Sequence, residues 1–279
     1  MKKFQLITLL LSVFLTSQSQ DFSLYERQLF IQGTDTLPCR ILTPVNYNPA
    51  KKYPVVIFLH GSGERGSDNE LQLKWGGSLF LDSTNRARFP AIVIFPQLGA
   101  NSYWARMKNF RNPNDTSGQA ELITKPPTVF MGLLLNFIDT LVKNGTIDKE
   151  RIYLGGLSLG GFGTFDALQL RPDLFAAAFP ICGGGEPIFA KSYNKKLSSW
   201  VFHGDADQSV NVGYSRNMVE AMKNAKLDVK YTEYPGVGHD SWNNAFAEPE
   251  LLPWLFSKDM KNGKNDKSKK KGKSKKNKS

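Results

Sequence analysis

Cysteine and histidine are scarce in this chain, with two of the first and three of the second among 279 residues. Two cysteines, Cys39 and Cys182, cannot build a disulfide framework, and whether they pair with each other is open from the sequence. No Cys/His cluster has the spacing of a zinc site, so neither a metal nor any other cofactor is expected. Long apolar runs are also missing. The longest, Phe4 to Leu15, is too short for a comfortable bilayer span, which argues against an integral membrane protein. Basic charge is missing from the middle of the chain. The net charge is +11, but Lys258 to Ser279 holds eleven lysines against two aspartates, and Lys2 and Lys3 account for the rest. A near-neutral central region excludes the electrostatic footprint of a nucleic-acid binder.

The ends of the chain read differently from its middle. Residues 1–19 have two lysines, an apolar run and then Thr16-Ser17-Gln18-Ser19, the pattern of a Sec-type signal peptide, so a secreted or periplasmic protein is expected. No cysteine follows that run to accept a lipid. Residues 258–279 are Lys, Asn, Ser and Gly with almost nothing apolar, the composition of a disordered tail. Between them, residues 20–257 are expected to form one globular domain.

Within that domain, alternating runs from Leu24 to Ile31 and from Thr36 to Leu42 flank Gln32-Gly33-Thr34-Asp35, which predicts an antiparallel hairpin at a sheet edge. Tyr53 to Leu59 and Ala91 to Phe95 are unbroken apolar runs, as in parallel strands covered on both faces. Pro96 to Lys125 is a long polar loop, and Pro126-Pro127 opens a helix that Asn144-Gly145 ends. Further strands are expected at Phe175 to Cys182, Ser199 to His203 and Asp228 to Tyr234, with helices at Val212 to Ala225 and Ser241 to Phe256, the last broken around Pro249 and Pro253. Alternating strands and helices at this spacing predict an α/β fold with a doubly wound, mostly parallel sheet.

The most informative stretch is Arg151 to Gly163, where a strand pattern runs into Gly156-Leu157-Ser158-Leu159-Gly160 and then into a helix. This is the pattern of a nucleophile elbow, with Ser158 on a sharp turn and the Leu159 amide placed at a helix N-terminus to donate to an oxyanion. Residues just beyond strand ends are the others to inspect. His60 and His203 each precede a glycine there and are expected to order their loops by hydrogen bonding, which leaves His239, in Gly236-Val237-Gly238-His239-Asp240, as the general base. The loop Asp205-Ala206-Asp207 offers two carboxylates to orient that histidine. Asp207, farther out, is preferred and Asp205 is the fallback, while Asp240, next to His239 in the chain, points away too readily to serve.

The order Ser158, Asp207, His239 is that of an α/β-hydrolase. From about Phe22 to Ser257 the chain resembles that superfamily, and within it the secreted feruloyl and acetylxylan esterases, near polyhydroxybutyrate depolymerases and dienelactone hydrolases. The resemblance is carried by Phe58-Leu59-His60-Gly61-Ser62-Gly63-Glu64-Arg65-Gly66, Gly156 to Gly161, His203-Gly204 with Asp207 and Val210, and Gly238-His239. It implies that the Ser62 amide is the second oxyanion donor beside Leu159, and that the chain is a serine esterase acting through an acyl-enzyme on carbohydrate-linked acetyl or feruloyl esters. Trp104, in the long loop with Tyr103, and Trp242, soon after His239, are the aromatic candidates for stacking on a sugar or an aromatic acid. A serine exopeptidase of the prolyl-oligopeptidase kind, which shares the triad but carries a further large domain, is the alternative enzyme. A non-catalytic surface-binding protein is the alternative outside catalysis.

The tail calls for a partner of its own: its excess of lysine is expected to contact anionic polymers, while no catalytic candidate lies beyond Ser257. Truncation after Ser257 should leave turnover of p-nitrophenyl acetate unchanged. It should lower retention on an anionic matrix at low salt, and binding by the intact protein should weaken as salt approaches ~0.5 M. Equal retention of both forms would leave the tail a mere solubiliser.

Overall fold

The structure is a computed structural model, and it describes residues 21–106, 114 and 125–261. The leader-like residues 1–19, most of the tail and part of the 96–125 loop lie outside the described residues. Eight strands form one sheet: β1 (Glu26–Gln32), β2 (Asp35–Leu42), β3 (Tyr53–Leu59), β4 (Ile92–Pro96), β5 (Ile147–Leu157), β6 (Ala177–Ile181), β7 (Ser198–Gly204) and β8 (Asp228–Tyr234). Their spatial order is β1-β2-β4-β3-β5-β6-β7-β8, antiparallel at the β1–β2 and β2–β4 pairs and parallel from β4 to β8. The edge hairpin and the parallel sheet expected from the sequence are both present, and β5 begins earlier than the elbow pattern indicated.

The helices are α1 (Gly77–Leu81), α2 (Ser83–Arg88), α3 (Val129–Lys143), α4 (Leu159–Leu170), α5 (Gly213–Asn224), α6 (Trp242–Ala247) and α7 (Leu251–Phe256). The short α1 and α2 carry too few turns to show a helical period in the sequence. The break expected around Pro249 is present, since the chain turns extended at Glu248, but the one expected around Pro253 is not, because Pro253 sits in the first turn of α7. Among the described residues, no helix is long and apolar enough to cross a membrane.

Strand alternation divides the core in two. Val55, Ile57, Leu59, Ile152 and Leu154 face one side, where α3, α4 and α5 bring Ile138, Phe165 and Met218. Val56, Phe58, Tyr153 and Phe179 face the other, against Phe80 of α1 and Leu251 and Leu255 of α7. A central strand of this kind has no polar face, which is why its sequence runs apolar without a break. Cys39 lies in the first cluster and Cys182 in the second, on opposite faces, and both are free thiols.

Local signals set where α3 starts and stops. The Thr128 hydroxyl accepts from the Met131 amide at its N-terminus. At the C-terminus the Gly145 and Thr146 amides donate to the Val142 and Leu141 carbonyls, a closure that needs the φ of +70° that Gly145 adopts.

Helix α4 packs backbone to backbone on the sheet. A Cβ on Gly160 would sit 1.9 Å from the Leu59 carbonyl oxygen and 2.8 Å from that of His60. In a free helix alanine is better than glycine by about 1 kcal/mol, but here α4 would have to move off β3, and overpacking of that kind costs about 1–3 kcal/mol or more. Gly160→Ala should therefore lower the unfolding free energy by about 2 kcal/mol or more in chemical denaturation, and a stabilised variant would refute the packing argument.

Candidate active site

Four strand ends build the site. At the end of β5 the backbone of Ser158 has φ 52° and ψ −115°, a left-handed conformation that a residue with a Cβ seldom takes. The turn is held from both sides, by the Ser158 amide donating to the Ile181 carbonyl of β6 and by the Phe162 amide donating to the Ser158 carbonyl. Ser158 is partly exposed while residues 152–157 and 159–168 are buried, so the chain lifts this one hydroxyl to the surface.

The structure brings Ser158, His239 and Asp207 together. The Ser158 Oγ lies 2.9 Å from His239 Nε2, and His239 Nδ1 lies 2.7 Å from Asp207 Oδ2. Asp207 Oδ1 accepts the amides of Ser209 at 2.8 Å and Val210 at 2.9 Å. An ionised carboxylate only accepts, so Nδ1 of His239 carries the proton and Nε2 is left to receive the serine's. Burial would raise the Asp207 pKa, but hydrogen bonds from His203, His239, Val210 and Ser209 outweigh it and hold the acid well below the usual carboxylate range. Asp205 serves the site differently. Its Oδ1 accepts the Gly236 amide at 2.6 Å and so ties down the loop that leads to His239.

Leu159 is the first residue of α4, and its amide, like others of a first turn, has no intrahelical acceptor. Ser62 opens a 3-10 turn, Ser62–Glu64, directly after Gly61, whose Cβ position would lie 3.6 Å from Ser158 Cβ. Leu159 thus follows the serine directly, and Ser62 follows the glycine that packs against it. His60 orders this loop as expected. Its Nδ1 lies 2.6 Å from the Gly61 carbonyl and its Nε2 accepts the Leu98 amide at 3.0 Å. Burial pushes its pKa down to about 4, the hydrogen bond to Gly61 opposing, so the ring is neutral near pH 7.

The two tryptophans part company. Trp104 is wholly buried: its Nε1 donates to the His60 carbonyl at 3.1 Å, and its Cβ fills the place where Gly163 lacks a side chain. It cannot stack on a ligand, and the expectation that it would is corrected. The indole closes the core between β3 and α4, and its neighbour Tyr103 is the exposed ring. Trp242 is partly exposed, edge-on to His239 with ring centroids 5.4 Å apart, and Trp75 lies 5.4 Å beyond it. Among the described residues, Cys182, Asp207 and His239 bring potential metal-ligand atoms within 4.8 Å of one another. Those of Asp207 and His239 are already joined by a hydrogen bond, and burial pushes the Cys182 thiol up in pKa, so the set does not fit a resident ion.

Two groups were not foreseen from the sequence. Arg106 and Asp166 form a buried ion pair, with Nη2 to Oδ1 at 2.8 Å, and Arg106 Nη1 also donates to the Lys125 carbonyl at 2.7 Å. Both ends of the long loop are thereby pinned to α4. Nothing in the local pattern of either residue announces a pairing sixty positions apart. Glu64 is the other. Its buried carboxylate accepts the Gly61 amide at 3.1 Å and Trp75 Nε1 at 3.0 Å. A signal for it existed, since a glutamate three residues after a helix cap is the capping-box spacing. By accepting the Gly61 amide, Glu64 ties down the turn that Ser62 opens. Glu64→Ala should lower kcat for p-nitrophenyl acetate by about 10-fold or more with little change in KM, since a misplaced donor is felt in the transition state; a change confined to KM would count against this role.

Comparison with known proteins agrees with this geometry. Residues 44–249 match the family described as Phospholipase/Carboxylesterase. A crystal structure of a thermostable esterase superposes with a TM-score of 0.76 and 33% identity, over 85% of this chain and 64% of that one. The chain is 30% identical to poly(3-hydroxyalkanoate) depolymerase C of Paucimonas lemoignei over 132 residues, 47% of this chain and 28% of the relative. It is 24% identical to the bifunctional acetylxylan esterase/xylanase XynS20E of Neocallimastix patriciarum over 165 residues, 59% of this chain and 21% of the relative. The chain thus spans about a quarter of the length of these two curated relatives. With the family match running through the elbow, the aspartate loop and the histidine loop on an eight-stranded, mostly parallel sheet, the chain belongs to the Phospholipase/Carboxylesterase family of α/β-hydrolases.

Proposed function

We propose that the protein hydrolyses carboxylic esters through an acyl-enzyme, with Ser158 as nucleophile, His239 as general base and then acid, and Asp207 as the group that orients and charges against His239. The observation that carries this reading is the continuous hydrogen-bonded line from Ser158 Oγ through His239 to Asp207. As Ser158 Oγ attacks the ester carbonyl, its proton passes to Nε2, and the imidazolium that results is stabilised by the Asp207 carboxylate. The amides of Ser62 and Leu159 receive the negative charge on the carbonyl oxygen. His239 then returns the proton to the departing alcohol. A water molecule, deprotonated by the same nitrogen, attacks the acyl-enzyme and releases the acid and a free Ser158.

The substrate we infer is a carbohydrate-linked ester, acetyl or feruloyl, met outside the cytoplasm. Its support is the leader-like residues 1–19, the likeness to a relative named as an acetylxylan esterase, and the aromatic pair Trp75–Trp242 beside His239, a surface suited to a sugar face or a phenolic ring. Acetate release from acetylated xylan and ferulate release from feruloylated arabinoxylan, set against p-nitrophenyl acetate and an aminoacyl-nitroanilide, test it. Turnover of the nitroanilide with none of the esters would replace the esterase reading by a peptidase one.

Ser158→Ala should lose on the order of 10³-fold or more in kcat. Asp207→Asn should lose on the order of 10² to 10⁴-fold, because an amide cannot hold the His239 tautomer or balance its charge. Asp205→Asn should lose less than ~10-fold, since the amide keeps the oxygen that accepts from Gly236. Exchanged phenotypes of the two aspartate variants would reassign the acid.

A further inference from the structure

The parallel strands all begin at one end of the sheet, while Ser62, Ser158, Asp207 and His239 follow strand ends at the other. Lysine gathers at the starting end. Lys51 and Lys52 precede β3, Lys143 closes α3 on the way to β5, Lys149 lies near the start of β5, and Lys195 and Lys196 precede β7. All six are exposed, and among the described residues none is paired with a carboxylate. They share one face, since β3 and β7 are three strand spacings apart, about 15 Å. Lys52 Nζ comes within 3.8 Å of the place a Gly145 Cβ would take, in the turn after α3.

The acids of this end are largely taken by other bases: Asp148 pairs with Arg151, Asp139 with Arg171 and Asp228 with Lys258. Glu150, Asp173 and Asp259 also lie there. The cationic tail leaves from the same face. The Tyr153 hydroxyl donates to the Lys258 carbonyl at 2.8 Å and the Met260 amide to the Glu150 carbonyl at 2.9 Å, and nine lysines follow Lys261 in the sequence. Among the described residues the active-site end has no such cluster. Its exposed loops hold Asp68, Asp205 and Asp240, after β3, β7 and β8, against Arg65 and Lys74. The near-neutral total of the domain thus hides a separation of charge that the fold creates.

From this placement we infer that the strand-start end of the domain is a docking surface for an acidic polysaccharide, which holds the protein with its active site turned away from the bound polymer. Ammonium groups are hydrated point charges that meet spaced anions without a fixed geometry. The partly exposed Tyr47 and Tyr53, with rings 5.5 Å apart beside Lys51 and Lys52, add a face for a sugar ring. In the segments that lead into β3, β5 and β7 one large apolar side chain, Val45, is exposed, too little to enter a bilayer. Docked in this way, Ser158 and His239 stay open to an ester on a neighbouring chain. The inference goes beyond ester hydrolysis and needs no catalysis by the protein.

Polygalacturonate is the probe, used with the full-length protein at low salt. The bound polymer should shield Lys51, Lys52, Lys195 and Lys196 from acetylation, read by mass spectrometry, and leave Lys74 reactive. Shielding of Lys74, or of the tail lysines alone, would overturn the proposal, as would a failure to bind. Replacing the four shielded lysines together by glutamine should weaken binding on the order of 10-fold and leave kcat/KM for p-nitrophenyl acetate unchanged. An unchanged affinity in the folded variant would refute the surface; should it fail to fold, the wild-type acetylation pattern decides. Tighter binding to phosphatidylglycerol vesicles or to duplex DNA at equal charge would overturn the choice of partner. Ser158→Ala should bind as the wild type does, so a failure of the esterase reading leaves this one standing. Loss of binding in that variant would place the polymer at the active-site end and sink the proposal.

Discussion

The backbone of Ser158 is held in a conformation that an ordinary residue adopts at a cost of about 1–3 kcal/mol, and much of the structure is arranged so that it is held there. The amide of Ser158 is taken by β6 and its carbonyl by the first turn of α4. The helix is set so close to β3 that Gly160 has no room for a methyl group. Trp104 then fills the space beside Gly163, and the Arg106–Asp166 pair locks the same helix to the loop beyond β4. Buried pairs of this kind contribute little net stability, but losing one partner leaves a charge stranded at a cost of about 3–5 kcal/mol, which makes the pair a rigid fastening.

The second constraint is the carboxylate of Asp207. It is the common acceptor for two loop amides and two histidines, so the loop after β7, the loop after β8 and the serine of β5 are all referred to one pair of oxygens. Hydrogen bonds in that number overcome the penalty of burial and keep the acid ionised. The turn that Ser62 opens is held by the same means: Glu64, also buried, accepts the Gly61 amide and the Trp75 indole. Two buried acids thus shape the two sides of the serine, one holding His239 and the other a turn.

Much of this was legible in the chain. The hairpin, the central strands, the stop of α3 and the glycines of the elbow follow from local rules of alternation, capping and close approach, and three histidines left few choices of base. The residues read as Ser158, Asp207 and His239 do meet in space. Helices α1 and α2 escaped because they are too short to show a period, whereas the break expected around Pro249 is present between α6 and α7, and the one expected around Pro253 is not, because a proline in the first turn of α7 loses no intrahelical hydrogen bond.

What the sequence determined by itself was the order of elements and the identity of the reactive groups, because strand alternation, helix caps and the elbow spacing are properties of neighbours in the chain. The buried Trp104, the Arg106–Asp166 fastening, the hold of Asp205 on the histidine loop and the placing of His203 against Asp207 were decided only by the tertiary structure. Each depends on which distant atom lies within about 3 Å of a polar group, and hydrogen bonding falls off too steeply with distance and angle for spacing along the chain to determine it.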